Sequence, residues 1–148
     1  MPGSPGAEIT LDADLENLGR FLEVVSGLAA GEKYDARRSK MIELAVEEAI
    51  VNVINHAYTD AKGMLTMSAS VDADRRLVLT IKDQGRPFDV SNVAEPDIGS
   101  GVESRKIGGL GVFFIRQVAD EIRYAREDDS NVMTMVFSPE GRPKPETN

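Results

Sequence analysis

A chain of 148 residues, 41% hydrophobic and 28% charged, has the length and composition of one soluble globular domain with a single core. A formal net charge of −8, with no basic block beyond short pairs such as Arg37-Arg38 and Arg75-Arg76, argues against direct nucleic-acid binding. The absence of cysteine excludes disulfides, thiolate metal sites and a cysteine nucleophile, and a single histidine, His56, excludes a multi-histidine zinc centre. No apolar run approaches the roughly 20 residues of a membrane span. The opening Met-Pro-Gly-Ser-Pro-Gly lacks the basic and apolar regions of a signal peptide, so a cytoplasmic protein without a membrane partner is expected.

Residues 1–7 are Pro/Gly-rich and expected to be disordered. Ile9 and Leu11 alternate with polar neighbours as a short strand does. Asp12 or Asp14 then caps a helix carrying Leu15, Leu18, Leu22, Val25 and Ala29, which Gly31 ends. A second helix is predicted from Asp35 to about Tyr58. It is apolar on most sides, as a core helix is, apart from an edge bearing Glu48, Asn52 and His56. From Leu65 the period becomes two: Leu65–Val71 and Leu77–Asp83 read as antiparallel strands joined by a turn at Asp72–Arg76. Residues 84–111 are rich in Gly, Pro, Ser and Asp, and so long a connection is usually functional or disordered. A helix marked by Leu110, Phe114 and Val118 follows Gly108-Gly109-Leu110-Gly111. Two more strands are predicted, Ile122–Glu127 and Val132–Phe137, separated by a turn at Asp128–Asn131; the polar tail 139–148 is expected to be disordered. The order implies an α+β domain over residues 8–138, a two-layer sandwich of a mainly antiparallel sheet with helices on one face.

Three stretches could carry chemistry. At about 100° per residue Glu48 and Asn52 differ by only about 40°, whereas Glu47 points elsewhere. A carboxylate there can act as a general base and an amide oxygen can ligate Mg²⁺, although such a pair alone is more often a polar edge facing water. In Asp83-Gln84-Gly85-Arg86-Pro87-Phe88-Asp89 the Asp can accept from an exocyclic amine and the Gly lets a flat base approach; an ordinary turn has the same composition. Gly108–Gly111 opens a helix whose amides could bind phosphate, but it matches neither the Walker A nor the Rossmann pattern.

The conjunction, in this order and spacing, resembles the Bergerat-type ATP-binding fold of the GHKL superfamily: gyrase, the ninety-kilodalton heat-shock chaperones, histidine kinases and the MutL repair proteins. The branch it is most similar to is the bacterial anti-sigma factor serine/threonine kinases, or switch-protein kinases. The strings that carry this are Glu48-Ala-Ile-Val-Asn52 with His56-Ala57-Tyr58, Asp83-Gln-Gly85-Arg-Pro87-Phe88-Asp89, and Gly108–Gly111 running on to Ile115 and Asp120. The resemblance implies that Asn52 binds the Mg²⁺ bridging the ATP phosphates and that Glu48 is the catalytic base. It implies that Asp83 reads the adenine amino group with Gly85 beside the ring. Gly109, Leu110 and Gly111 would line the phosphates, and Thr134 would help hold a water network on the adenine side. Residues 90–108 would form an ATP lid, with Arg105 and Lys106 reaching phosphate or partner, while His56 is expected to be a locally hydrogen-bonded helix-end residue.

The implied function is an ATP- and Mg²⁺-dependent protein-serine kinase that phosphorylates an anti-sigma factor antagonist and sequesters a sigma factor, as a homodimer. The alternative is a non-enzymatic ATP-binding interaction module. A histidine-kinase fragment is disfavoured because no phospho-accepting histidine precedes the Asp35 helix, and the gyrase, MutL and chaperone branches because their large downstream domains are not seen here.

Overall fold

Polar caps set where the helices begin. The computed structural model describes residues 6–58, 63–88 and 109–141. Strand β1 (Ala7–Asp12) begins earlier than the Ile9 alternation suggests: Ala7, expected to be disordered, already pairs with Ala69. Asp14, rather than Asp12, caps the following 3-10 turn (Leu15–Asn17), its Oδ1 accepting from the Glu16 amide at 3.0 Å. Helix α1 (Leu18–Gly31) continues from that turn and buries Phe21, Val25 and Ala29, four residues apart. Asp35 then caps helix α2 (Ala36–Asn52) by accepting from the Arg38 amide at 2.8 Å.

Helix α2 carries much of the core. Ile42, Ala45, Val46, Ala49 and Ile50 are fully buried, on a helix packed against both α1 and α3 (Gly109–Val118). The α-helical spacing ends at Asn52 rather than Tyr58. Val53–Ala57 form a wider π-type turn. Its carbonyls are taken up from outside the helix, His56 O by Arg86 Nε at 2.6 Å and Ala57 O by the Arg86 amide at 2.9 Å.

Among the described residues one sheet runs in the order β1-β2-β3-β5-β4, every neighbouring pair antiparallel. Its other strands are β2 (Met64–Val71), β3 (Leu77–Asp83), β4 (Glu121–Glu127) and β5 (Ser130–Phe137). The period of two turns Leu65, Met67, Leu77, Leu79, Ile81, Met133, Met135 and Phe137 toward the helices, where they join Phe21, Ile42, Ile50 and Ile115 in one core. The opposite face carries Thr66, Ser68, Thr80 and Thr134. This is the two-layer α+β sandwich the patterning implied.

Arg38 ties the far end of the domain together. Its guanidinium donates to Ser138 O at 2.8 Å, Val118 O at 3.0 Å and Asp120 Oδ2 at 3.2 Å, joining α2 to the exits of α3 and β5. Gly141, within the stretch 139–148 expected to be disordered, donates its amide to Ser138 Oγ at 2.9 Å. Residues 142–148 lie outside the described residues. Among the described residues no helix is long and apolar enough to cross a membrane.

Candidate active site

Glu48 and Asn52 stand one turn apart on α2, and the helix fixes how each is presented. Asn52 is 3% exposed and donates its Nδ2 to Glu48 O at 2.9 Å. With one of its two N–H groups held by its own helix, the amide is oriented and its carbonyl oxygen can face a ligand. The Glu48 carboxylate leans toward α3: a Cβ built on Gly111 would lie 2.4 Å from Glu48 Oε2. Glycine at 111 is therefore what lets the carboxylate sit against the first turn of α3. That helix starts at Gly109, inside the glycine string rather than after it. Gly109, Leu110 and Gly111 are its first residues, whose amides have no acceptor within the helix and can meet an anion.

At the end of β3, Asp83 is 2% exposed and faces the helices. Its Oδ1 accepts from the Gly85 amide and from Asn131 Nδ2, both at 2.9 Å. Oδ2 carries no such bond among the described residues. Burial pushes the Asp83 carboxyl above the usual aspartate range; the bonds from Asn131 and Gly85 and the charge of Arg126 pull the other way. Asn131 is itself 4% exposed and lies opposite Asp83 in the β3–β5 register. Sequence reasoning placed it in a turn and missed it. An Asn beside Asp128-Asp129-Ser130 carries a turn signal, and only its pairing with Asp83 gives it away.

Gly85 does more than leave room for a ring. A Cβ there would lie 2.3 Å from Ala57 O, so the Asp83–Gly85 turn is packed directly on the backbone that follows α2. Tyr58 locks the same corner, its hydroxyl donating to Met64 O at 2.6 Å and accepting from the Gln84 amide at 2.8 Å. His56 lies within the π-type turn. Its ring stacks on Phe88 with centroids 5.3 Å apart, and burial, with Arg86 nearby, holds its pKa below the usual histidine value.

Thr134 is not brought to the site. Met133 and Met135 face the core, so the strand's alternation turns Thr134 to the opposite side of the sheet, where its Oγ1 lies 3.4 Å from that of Thr80. Asn131, three residues earlier, is the β5 side chain that reaches Asp83. Lys106, Arg105 and the expected lid 90–108 lie outside the described residues.

The arrangement thus has a buried carboxylate at one end, an amide oxygen and a second carboxylate at the other, and helix-start amides beside the latter. Among the described residues no cluster of three or more His, Cys, Asp or Glu could hold a metal by itself. A single amide oxygen suits Mg²⁺, which is held by few protein ligands together with phosphates and waters.

Comparison with known proteins agrees with this fold. The family described as the histidine kinase-like ATPase domain matches residues 11–137. The serine-protein kinase RsbW of Halalkalibacterium halodurans is 33% identical over 133 residues, 87% of this chain and 80% of that protein. The RsbW of Listeria monocytogenes is 32% identical over 128 residues, 82% of this chain and 80% of its own. Among solved structures, the RsbU and RsbW domains of a Mycobacterium tuberculosis protein superpose with a TM-score of 0.64 at 18% identity, over 91% of this chain and 32% of that one, which shows a shared fold.

Proposed function

Because this chain belongs to the histidine kinase-like ATPase family, standing there with the RsbW serine-protein kinases, we propose that it is an ATP- and Mg²⁺-dependent protein-serine kinase. Its substrate in this reading is an anti-sigma factor antagonist, and in the antagonist's absence it sequesters a sigma factor. It works as a cytoplasmic homodimer. The observation that carries the kinase reading is the contact between Glu48 and Gly111: a carboxylate on one helix held against the phosphate-binding start of another.

The geometry supports the following roles in this reading. Asp83 Oδ2 accepts from the exocyclic amine of adenine, at the buried end. The helix-start amides of Gly109, Leu110 and Gly111 face the phosphates. Asn52 Oδ1 is the ligand for Mg²⁺, which supplies charge neutralisation along the phosphates when bound. Glu48 takes the proton from the attacking serine hydroxyl as the new P–O bond forms and the γ-phosphoryl leaves ADP. Phosphoryl transfer needs little covalent chemistry from a protein, so positioning and oriented dipoles suffice here.

Incubation with ATP, Mg²⁺ and a candidate antagonist tests the reading. Serine phosphorylation of the antagonist is expected, and Glu48→Ala should lower its rate by at least about a hundredfold, the range of general-base contributions, while nucleotide affinity stays nearly unchanged. An antagonist that stays unmodified while ATP binds would instead mark a non-enzymatic nucleotide-binding module.

A further inference from the structure

We infer that Asn131 is the positioning residue that sets base selectivity, by occupying Asp83 Oδ1 so that the ligand is offered only an acceptor, Oδ2. The inference rests on the reading that a purine docks at Asp83.

Every hydrogen-bonding position of Asn131 is filled. Its Nδ2 donates to Asp83 Oδ1 at 2.9 Å and to Arg86 O at 2.7 Å. Its Oδ1 accepts from Tyr124 Oη at 2.5 Å and from the Phe88 amide and Arg126 Nη1, each at 3.2 Å. That set admits one orientation of the amide. Turned over, the NH₂ would face the Phe88 and Arg126 donors, and the oxygen would face the Arg86 carbonyl and a carboxylate. Asn131 Nδ2 must therefore point at Asp83.

The consequence falls on Asp83. Two N–H groups on Oδ1 stabilise the ionised carboxylate, and the carboxyl cannot rotate without losing both bonds. Arg126 Nη1, which also donates to Gly85 O at 2.8 Å, adds positive charge on the same side. Oδ2 is thereby kept an acceptor. It matches the 6-amino group of adenine and meets the 6-oxo group of hypoxanthine or guanine acceptor to acceptor. Rejection by unpaired buried polar atoms is stronger than rejection by shape. Without Asn131 the carboxyl is free to rotate or to take the proton that burial favours, and a protonated Oδ2 donates to a 6-oxo group. The other groups facing Asp83, namely Arg126 from β4 and Tyr58 from the end of the π-type turn, remain in place.

Calorimetric titration of ATP and ITP, which differ at the purine 6-position and in the proton that the 6-oxo ring carries on N1, tests this with unaltered protein, Asn131→Ala, the isosteric Asn131→Asp, and Tyr124→Phe. Tyr124→Phe removes a bond to Asn131 without touching Asp83. Thermal melts establish that each is folded. The unaltered protein and Tyr124→Phe should prefer ATP, and both Asn131 variants should lose about tenfold or more of that preference, the worth of one hydrogen bond. Folded Asn131 variants that weaken ATP and ITP by the same factor would overturn the assignment and leave Asn131 a structural residue. Unaltered protein that binds ATP without preference over ITP would overturn it as well. Unaltered protein that binds neither nucleotide would instead overturn the nucleotide reading on which it rests.

Discussion

Asp83 works against the fold that holds it. A group whose pKa is higher in the folded than in the unfolded chain contributes stability below its unfolded pKa and loses it as pH rises through the folded value. With its carboxyl raised by burial, Asp83 at neutral pH is on the losing side. Asp83→Asn keeps an Oδ1 to accept from Gly85 and Asn131 and turns Oδ2 into a donor. The melting temperature near pH 7 is expected to hold or rise in this variant, while ATP affinity falls at least about tenfold. The same reasoning sets a pH profile. Protonation removes the Oδ2 acceptor, so the ATP-to-ITP affinity ratio, in which the phosphates' own titration cancels, should fall on acidification from above the ordinary aspartate pKa of 3.8. A ratio constant down to that value would contradict the role given to Oδ2. That Glu48 and Asn52 share one edge of α2 was legible in the chain because helical spacing aligns them. Asn131 was not, because its meaning depends on a partner 48 residues away, and Thr134 was misplaced because facing requires register.

Two glycines show how elements are fitted around the site, and they should respond oppositely to alanine. At Gly85 the added Cβ meets the Ala57 carbonyl, backbone that cannot yield. Gly85→Ala is expected to cost about 3 kcal/mol in urea unfolding, the upper range for overpacking. At Gly111 the Cβ meets the tip of the Glu48 side chain, which can swing away, and alanine favours a helix by up to about 1 kcal/mol over glycine. Gly111→Ala should therefore leave stability equal or slightly higher, while phosphoryl transfer falls at least about tenfold because the carboxylate has moved. The glycine string announced a helix entry in the sequence, but its partner did not show. Nothing in Gly108–Gly111 says that the space beside Gly111 belongs to Glu48. The π-type turn was likewise invisible, since Val53–Ala57 continues the apolar pattern and only the Arg86 bonds distinguish it.

Across the whole molecule the layers depend on α2, and the clamp at its first turn shows how much. Arg38 and Asp120 are each less than one-fifth exposed at the side chain, and the guanidinium also serves two carbonyls. Arg38→Met leaves the two carbonyls without this donor and the mostly buried Asp120 carboxylate with the Ser138 amide but without the guanidinium charge. A loss of about 3 kcal/mol is expected in denaturant titration, as for other buried pairs with one partner removed. Nucleotide affinity of the folded fraction should hardly change, because the clamp lies at the opposite end of α2 from Asn52. The fold class was readable from the change of period between helices and strands. The strand order was not: β5 enters between β3 and β4 through pairings such as Asp83 with Asn131, which local pattern cannot encode.

The junction of Gly85 with Ala57 bears on what the molecule can measure. Asn52 belongs to α2, and Asp83 is fastened, through Gly85 and Arg86, to the backbone five residues further along the same rod. The distance between the base end and the metal end is thus a fixed gauge, set by one piece of helix rather than by two parts free to close. In the proposed reading a nucleotide is seated by its purine and first phosphates against that gauge, and whether it carries two phosphates or three is registered beyond Asn52, at the first turn of α3.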